Sequence, residues 1–145
     1  MILVDTNILI YAHNPAATLF ARARAWWDEQ LSGTAPVCLD WVIIGAFIRI
    51  ATHPSIYQPP ATTRDAIDRV DRWLVQPCVR VLTPTERHWE VFNRLLVEGQ
   101  ATGNLVTDAH IAALAIEYGC ELQSTDADFA RFPSVKWRNP LKITT

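Results

Sequence analysis

Three aspartates stand beside predicted strands and helices in three distant parts of the chain. Asp5 ends a predicted apolar strand over residues 2–5, Asp108 lies at the start of a predicted helix, and Asp126 follows a predicted strand over 121–124. A buried carboxylate without a partner costs several kcal/mol, or its pKa rises until it is neutral. Asp5 therefore needs either a cation beside it or an opening to water.

The predicted fold brings these three carboxylates to one place. Ligands of open parallel sheets bind beyond the carboxyl ends of the strands, which is where Asp5 and Asp126 stand. The positions three, four and seven residues after Asp108 are apolar, so the helix face that packs on the sheet carries Asp108 at its start. Clustered carboxylates repel one another unless a cation joins them, and hard oxygen ligands favour Mg²⁺ or Mn²⁺. We therefore expect a metal site.

Each aspartate, taken alone, also has a purely structural interpretation. Asp108 could stabilise the N-terminus of its helix, although Thr107 is an equally good cap. Asp5 could form an Asx turn with the two residues that follow it, and Asp126 or Asp128 could cap a short helix. The metal site is the interpretation that explains all of them together.

The elements that position these residues alternate between strand and helix along the whole chain. This alternation predicts a single domain over residues 1–145, with a central parallel sheet in a three-layer α/β/α arrangement. Within a predicted helix over 85–98, the apolar pattern places Trp89 on the face that packs inward. The predicted strands cover 2–5, 37–39, 79–82 and 121–124, and the predicted helices cover 17–32, 41–52, a segment starting at Thr62 or Thr63, 85–98 and 107–118.

Composition narrows the class of protein. The chain has 145 residues, half of them hydrophobic, but no apolar run long enough to span a membrane and no signal peptide at its start. Three widely spaced cysteines predict reduced core thiols and a cytoplasmic protein. A formal net charge of −2 argues against nucleic-acid binding by overall charge alone. Such binding would need local arginines or a bound cation.

Three segments resemble the acidic motifs of the PIN-domain ribonucleases, in the correct order and across nearly the whole chain. They are MILVDTNILIYA, GNLVTDAHIAALAIEYG and STDADFARFP, and they are most similar to VapC toxins of bacterial VapBC toxin–antitoxin pairs. The resemblance implies a Mg²⁺-dependent endoribonuclease that acts on RNA and is neutralised by a small VapB-type antitoxin. It also implies a homodimer, and the apolar segment 41–52 independently suggests extra buried surface.

The resemblance implies a role for each acidic residue. Asp5 and Asp108 would be metal ligands, and Asp126 would complete the catalytic acidic site, where it or Asp128 would orient a metal-activated water. That water would cleave the phosphodiester and leave a 5′-phosphate and a 3′-hydroxyl. Asn104 matches a polar position near the site and would contact substrate.

One position departs from the family pattern. Many PIN domains carry a further Glu on the helix that corresponds to 41–52, and Ala46 stands there in this chain. Asp40 is the nearest acid and is better placed to cap that helix. The departure predicts one firmly held metal ion, and it leaves open a catalytically weakened PIN-fold module that only binds RNA or antitoxin.

Two other kinds of chemistry fit the sequence less well than a metal site: catalysis by histidine and phosphoryl transfer to an aspartate. His110 points away from Asp108 on its helix, and His13, His53 and His88 show no spacing that predicts pairing. Haloacid dehalogenase-like domains need D-x-D on the first strand, where this chain has Asn7. Receiver domains need a late strand-ending lysine, and both lysines of this chain lie in its final ten residues.

Overall fold

A parallel sheet forms the centre of this computed structural model, which describes residues 1–57 and 59–143. Its five strands are Ile2–Val4 (β1), Val37–Asp40 (β2), Val79–Leu82 (β3), Glu121–Gln123 (β4) and Trp137–Arg138 (β5). They lie in the order β3-β2-β1-β4-β5, and each neighbouring pair is parallel. β1 is therefore the central strand.

Helices fill the connections between the strands. In the described part of the chain they are Thr6–His13 (α1), Phe20–Ser32 (α2), Trp41–Ala51 (α3), Thr63–Leu74 (α4), His88–Glu98 (α5) and Leu105–Tyr118 (α6). A 3-10 helix, Ala127–Arg131, follows β4. The start of α4 has a capping box between Thr62 and Asp65, and α6 ends at Gly119, whose φ of +69° is the left-handed conformation that glycine adopts easily.

The strand order determines the layers. The chain runs from β1 through β2 to β3 in one direction and then returns to β4 on the other side of β1. Because crossovers between parallel strands are right-handed, α1–α4 cover one face and α5 and α6 cover the other. Contacts among α1–α4, and between α5 and α6, agree with this arrangement. The predicted three-layer fold is confirmed, and its direction reverses at β1, just before Asp5.

Small side chains allow α6 to pack closely in the interior. Ala109, Ala112, Ala113 and Ala115 are completely buried. Since alanine adds little bulk and has high helix propensity, α6 can lie close to its neighbours without strain. The start of this helix, including Asp108, is thereby held near the carboxyl edge of the sheet.

Several sequence predictions differ from the structure. α1 was not predicted, yet it begins directly after Asp5, and β5 was also missed. The expectation that Trp89 faces inward is wrong, because its exposed fraction is 65%. The buried residues of α5 are Val91 and Leu95, four residues apart, and Trp89 lies two residues away from that stripe.

The predictions about the cysteines and about membrane-spanning segments can be compared with the structure directly. Cys38, Cys78 and Cys120 are buried and free, as expected for reduced core thiols. Among the helices of residues 1–57 and 59–143, none has the length and apolar character needed to cross a membrane.

Two glycines give a paired test of this packing. A Cβ at Gly99 would clash with Cε1 of Phe132, whose ring is buried, whereas a Cβ at Gly45 meets no atom of the described residues within 4 Å. Gly99→Ala should lower the free energy of unfolding by about 1–3 kcal/mol because the core is overpacked. Gly45→Ala, inside α3, should raise it by up to about 1 kcal/mol. Urea unfolding of both variants checks this, and changes of the same sign would contradict it.

Candidate metal centre

Asp5 lies at the junction of β1 and α1. As the N-cap of α1 it accepts a hydrogen bond from Thr6 N–H at 2.8 Å through Oδ1, and Oδ2 accepts one from Ser124 Oγ at 2.8 Å. The residue is 8% exposed. Burial raises the pKa of Asp5, and the charges of Asp126 and Asp40 add to the rise, while the bonds from Ser124 and Thr6 offset part of it. Asp5 thus has the structural role of an N-cap, whereas the sequence suggested an Asx turn, and no Arg or Lys of the described residues pairs with its carboxylate.

Ser124 and Asn7 connect the acidic motifs, and the sequence analysis missed both. The Ser124 hydroxyl accepts hydrogen bonds from Asn7 Nδ2 at 3.1 Å and from the Asp126 N–H at 3.0 Å, and it donates to Asp5. One buried hydroxyl therefore joins the ends of β1 and β4. Its position as the last residue of the predicted strand 121–124, two residues before Asp126, was a signal that could have identified it.

Asp108 lies in the first turn of α6 and differs from Asp5 in lacking local partners. Among the described residues, no hydrogen bond or ion pair involves its carboxylate. Burial raises the pKa of Asp108 to about 7, and the charges of Asp126, Asp5 and Asp128 contribute to the rise. A carboxylate that is partly buried, unpartnered and surrounded by like charges is a strong candidate to bind a cation.

Asp126 and Asp128 bring two more carboxylates to Asp108. Asp126 caps the 3-10 helix, since the Asp128 N–H donates to its Oδ1 at 2.9 Å. One ligand atom each of Asp108, Asp126 and Asp128 lies within 4.8 Å of the others. A cation such as Mg²⁺ could bind several of these oxygens at once. Asp5 lies outside this group of three, although it interacts electrostatically with Asp126 and Asp108.

An open recess between α3 and α6 gives access to two of the acids. Asp5 and Asp108 line it together with Thr6 and Asn7. The other lining residues are Val42, Ala46, Arg49, Ile50, Thr107 and Ile111. Ala46, the position at which the family pattern has Glu, therefore faces the same space as Asp5 and Asp108. Arg49, one turn further along α3, supplies a positive charge at the rim.

Other predicted site residues lie apart from the recess. Asn104 is exposed at the start of α6, four residues before Asp108, and makes no capping bond. Asp40 caps α3 by accepting from the Ile43 N–H at 2.8 Å, as expected. His110 lies 3.1 Å from His88, a contact that the spacing of the histidines along the chain did not predict.

A second cleft lies between α2 and α4, away from the acids. Arg24, Arg69 and Arg72 line it together with Asp28, whose Oδ2 lies 3.2 Å from Nε of Arg24. The cleft contains none of the four clustered aspartates. The structure therefore places the candidate chemistry in the recess beside Asp108.

The raised pKa of Asp108 predicts a pH-dependent effect on stability. In the unfolded chain the pKa is near its ordinary 3.8, and in the folded protein it is about 7. The folded state therefore holds the proton more tightly, so the metal-free protein loses stability as the pH rises from about 4 to about 7. Asp108→Asn removes this loss. With chelator at about pH 8 it should be about 1–2 kcal/mol more stable than the wild type, allowing for solvent screening.

The control for this measurement is Asp28→Asn, because Asp28 is an exposed acid on α2 that forms a surface ion pair. It should show no gain that grows with pH. Urea unfolding at several pH values provides the comparison. Equal stability of Asp108→Asn and the wild type at about pH 8 would show that the charged Asp108 carboxylate does not destabilise the metal-free protein.

Comparison with known proteins assigns the family. Residues 2–135 match the PIN domain family. Ribonuclease VapC33 of Mycobacterium tuberculosis is 39% identical over 142 residues, covering 98% of this chain and 99% of that protein. The solved structures of VapBC-1 from nontypeable Haemophilus influenzae and of VapC20 from Mycobacterium tuberculosis both give a TM-score of 0.67. Their identities are 23% and 21%, with coverage of 98% and 90% of this chain and 100% and 93% of theirs. These two structures show likeness of fold alone. By its match over residues 2–135 and its identity with Ribonuclease VapC33, the chain belongs to the PIN domain family.

Proposed function

We propose that this protein is a Mg²⁺-dependent endoribonuclease and the toxin of a type II toxin–antitoxin pair. The observation that carries the proposal is the convergence of four aspartates at the carboxyl edge of β1. Three of them present ligand atoms within 4.8 Å of one another, and none of the four pairs with Arg or Lys in the described chain. The likeness to Ribonuclease VapC33 supports the same chemistry.

The donor set suits a hard divalent cation. Asp108 and Asp126 would hold the ion, with Asp5 as the third ligand and Asp128 beside them, because all four offer carboxylate oxygens. Bound magnesium would supply a Lewis acid for the scissile phosphate and a water of lowered pKa. Oδ1 of Asp126 is held by the Asp128 N–H, which leaves Oδ2 to orient a water or accept its proton.

The chain's own residues also favour a phosphate-bearing substrate. Because the net charge is −2, attraction of RNA must be local. Arg49 is exposed at the rim of the recess, and its guanidinium suits a phosphate. Asn104, exposed ahead of Asp108, would contact the same strand. Among the neighbours in fold, VapC20 is described as a sarcin–ricin loop cleaving toxin.

The similar proteins suggest an antitoxin partner for this chain, and one exposed apolar surface suggests a second copy of the chain. A neighbour in fold is the VapBC-1 complex, and we propose a small VapB-type antitoxin for this chain. At the start of α3, Trp41 is 59% exposed and Val42 is 43% exposed. We propose that a homodimer of single-domain chains (residues 1–145), located in the cytoplasm, covers this surface. A monomer mass by light scattering at micromolar concentration would contradict the dimer.

Removal of single carboxylates tests the activity. Asp108→Asn and Asp5→Asn should each abolish Mg²⁺-dependent cleavage of total RNA and cellular toxicity, because a metal ligand is lost. Asp5→Asn retains a side-chain oxygen that can cap α1, so circular dichroism should show a folded protein. Asp28→Asn is the matched control and should cleave like the wild type.

Two results would contradict the proposal. Wild-type protein that leaves RNA intact with Mg²⁺ or Mn²⁺ would favour the alternative of a catalytically weakened module that only binds RNA or antitoxin. Cleavage by Asp108→Asn at the wild-type rate would show that the acidic cluster is not the active site.

Ala46→Glu tests whether the recess lacks a family ligand. The new carboxylate would face Asp5 and Asp108, so without metal it should lower stability by about 1–3 kcal/mol. Excess Mn²⁺ should raise the thermal midpoint more in this variant than in the wild type, since a ligand that binds only the native state stabilises it. Gly45→Glu, on the adjacent open position, is the control. Equal metal-induced rises in all three proteins would show that position 46 does not reach the ion.

A further inference from the structure

Four titratable side chains form a continuous hydrogen-bonded chain behind the acidic cluster. Asp40 Oδ2 lies 2.9 Å from Nε2 of His110, and Nδ1 of His110 lies 3.1 Å from Nε2 of His88. Nδ1 of His88 lies 2.6 Å from Oε2 of Glu117. The two carboxylates can only accept, so the ring nitrogens that face them are the donors, and the hydrogen bond between the two rings needs a second proton on one of them. We call these four residues the histidine bridge.

Both ends of the histidine bridge are fixed to the backbone. The second oxygen of Asp40 accepts from the Ile43 N–H and caps α3. The second oxygen of Glu117 accepts from Thr85 N–H at 2.9 Å and from Thr85 Oγ1 at 2.7 Å. The carboxylate side chains are 5% and 0% exposed. Because each carboxylate is held at both oxygens and shielded from water, the bridge is a rigid connection between the end of β2, α6 and the segment before α5.

The bridge meets α6 close to the acidic cluster. His110 follows Asp108 by two residues, so a bond that fixes His110 also fixes the first turn of the helix. That turn has no other anchor of this kind in the described chain, since Asn104 makes no capping bond and the Asp108 carboxylate has no partner. The charges of Asp126, Asp5 and Asp128 meanwhile act on Asp108 and would push the start of α6 away.

We propose that His110 is a positioning residue, whose bond to Asp40 holds Asp108 within reach of the other aspartates. The inference rests on the proposed function, because it assigns His110 a task at the metal site of that same reaction. A metal ion needs its ligand oxygens in place to within a fraction of an ångström, and a displaced helix start would separate them. His110 acts through Asp108 and does not itself face the recess.

The first test measures metal affinity in folded variants. His110→Ala should weaken Mn²⁺ binding about tenfold, measured by electron paramagnetic resonance of the free ion. His110→Gln keeps an N–H that can reach Asp40, so its affinity should stay within about twofold of the wild type. Val70→Ala, a buried change on α4 away from the recess, should lower stability and leave Mn²⁺ affinity unchanged. Wild-type affinity in His110→Ala would overturn the inference, as would an equal loss in His110→Gln.

The second test needs no metal and uses the free energy of unfolding. If the bridge holds Asp108 against repulsion among the aspartates, His110→Ala lets them move apart and recovers part of the repulsive energy, so it should lower the urea midpoint at most half as much in the wild type as in the Asp108→Asn background. An equal loss in the two backgrounds would show that His110 is only part of the core. If His110→Ala does not fold alone, His110→Phe, which keeps the ring volume and removes the bond, replaces it in the same comparison, with the same outcomes.

The two proposals fail in distinguishable ways. If wild-type protein cleaves RNA and His110→Ala binds Mn²⁺ normally, the inference fails and the proposed function stands. If wild-type protein does not cleave RNA but the urea cycle shows the predicted coupling, the proposed function fails, and His110 still positions Asp108 against its neighbours.

Discussion

Repulsion among four carboxylates at the end of β1 is the constraint on which the rest of the structure depends. Asp5, Asp108, Asp126 and Asp128 come from three distant segments, and the charges of the other three contribute to the raised pKa of Asp108. Like charges within a few ångströms of one another cost free energy unless protons or a cation neutralise them. A fold that keeps them together therefore needs other interactions that hold their backbones in place.

The fold supplies those interactions from its most rigid parts. β1 is the central strand, and its carboxyl end is bound to β4 through Ser124. Buried alanines hold α6 closely in the interior, and the histidine bridge connects that helix to the end of β2. The acids are thus attached to the scaffold by short connections. An arrangement that is strained without a cation becomes favourable when one binds, because only the native state offers all the oxygens together.

Sequence reasoning identified those parts of the site that depend on strand ends and helix starts. Asp5 and Asp126 were found because Asp5 ends one predicted strand and Asp126 lies just past another, and Asp108 because its helix is apolar on one face. α1 was missed for a physical reason. Its residues 8–10 and 12 are buried, so the segment lacks the polar face by which a surface helix is recognised, and the Asp-Thr-Asn triplet before it also suits an Asx turn.

The contacts that span the sequence could not be predicted from local pattern. His88 and His110 are 22 residues apart, and Asp40 is 70 residues from His110. Only the packing of α5 against α6, and of α6 near β2, brings them together. The orientation of Ala46 was expected from alignment with the family pattern, and the recess places it beside Asp5 and Asp108. The spacing of residues along one helix can be inferred from a sequence, whereas contacts between side chains of different helices can be known only from the folded structure.

A crystal structure of the protein with Mn²⁺, analysed by anomalous scattering, tests the central claim most directly. The account predicts one strong anomalous peak at the carboxyl edge of β1, with oxygens of Asp108 and Asp126 at about 2.0–2.3 Å from the ion. Asp5 should lie in the same coordination shell, directly or through one water. Occupied manganese sites elsewhere on the surface, with no peak between these aspartates, would contradict the account.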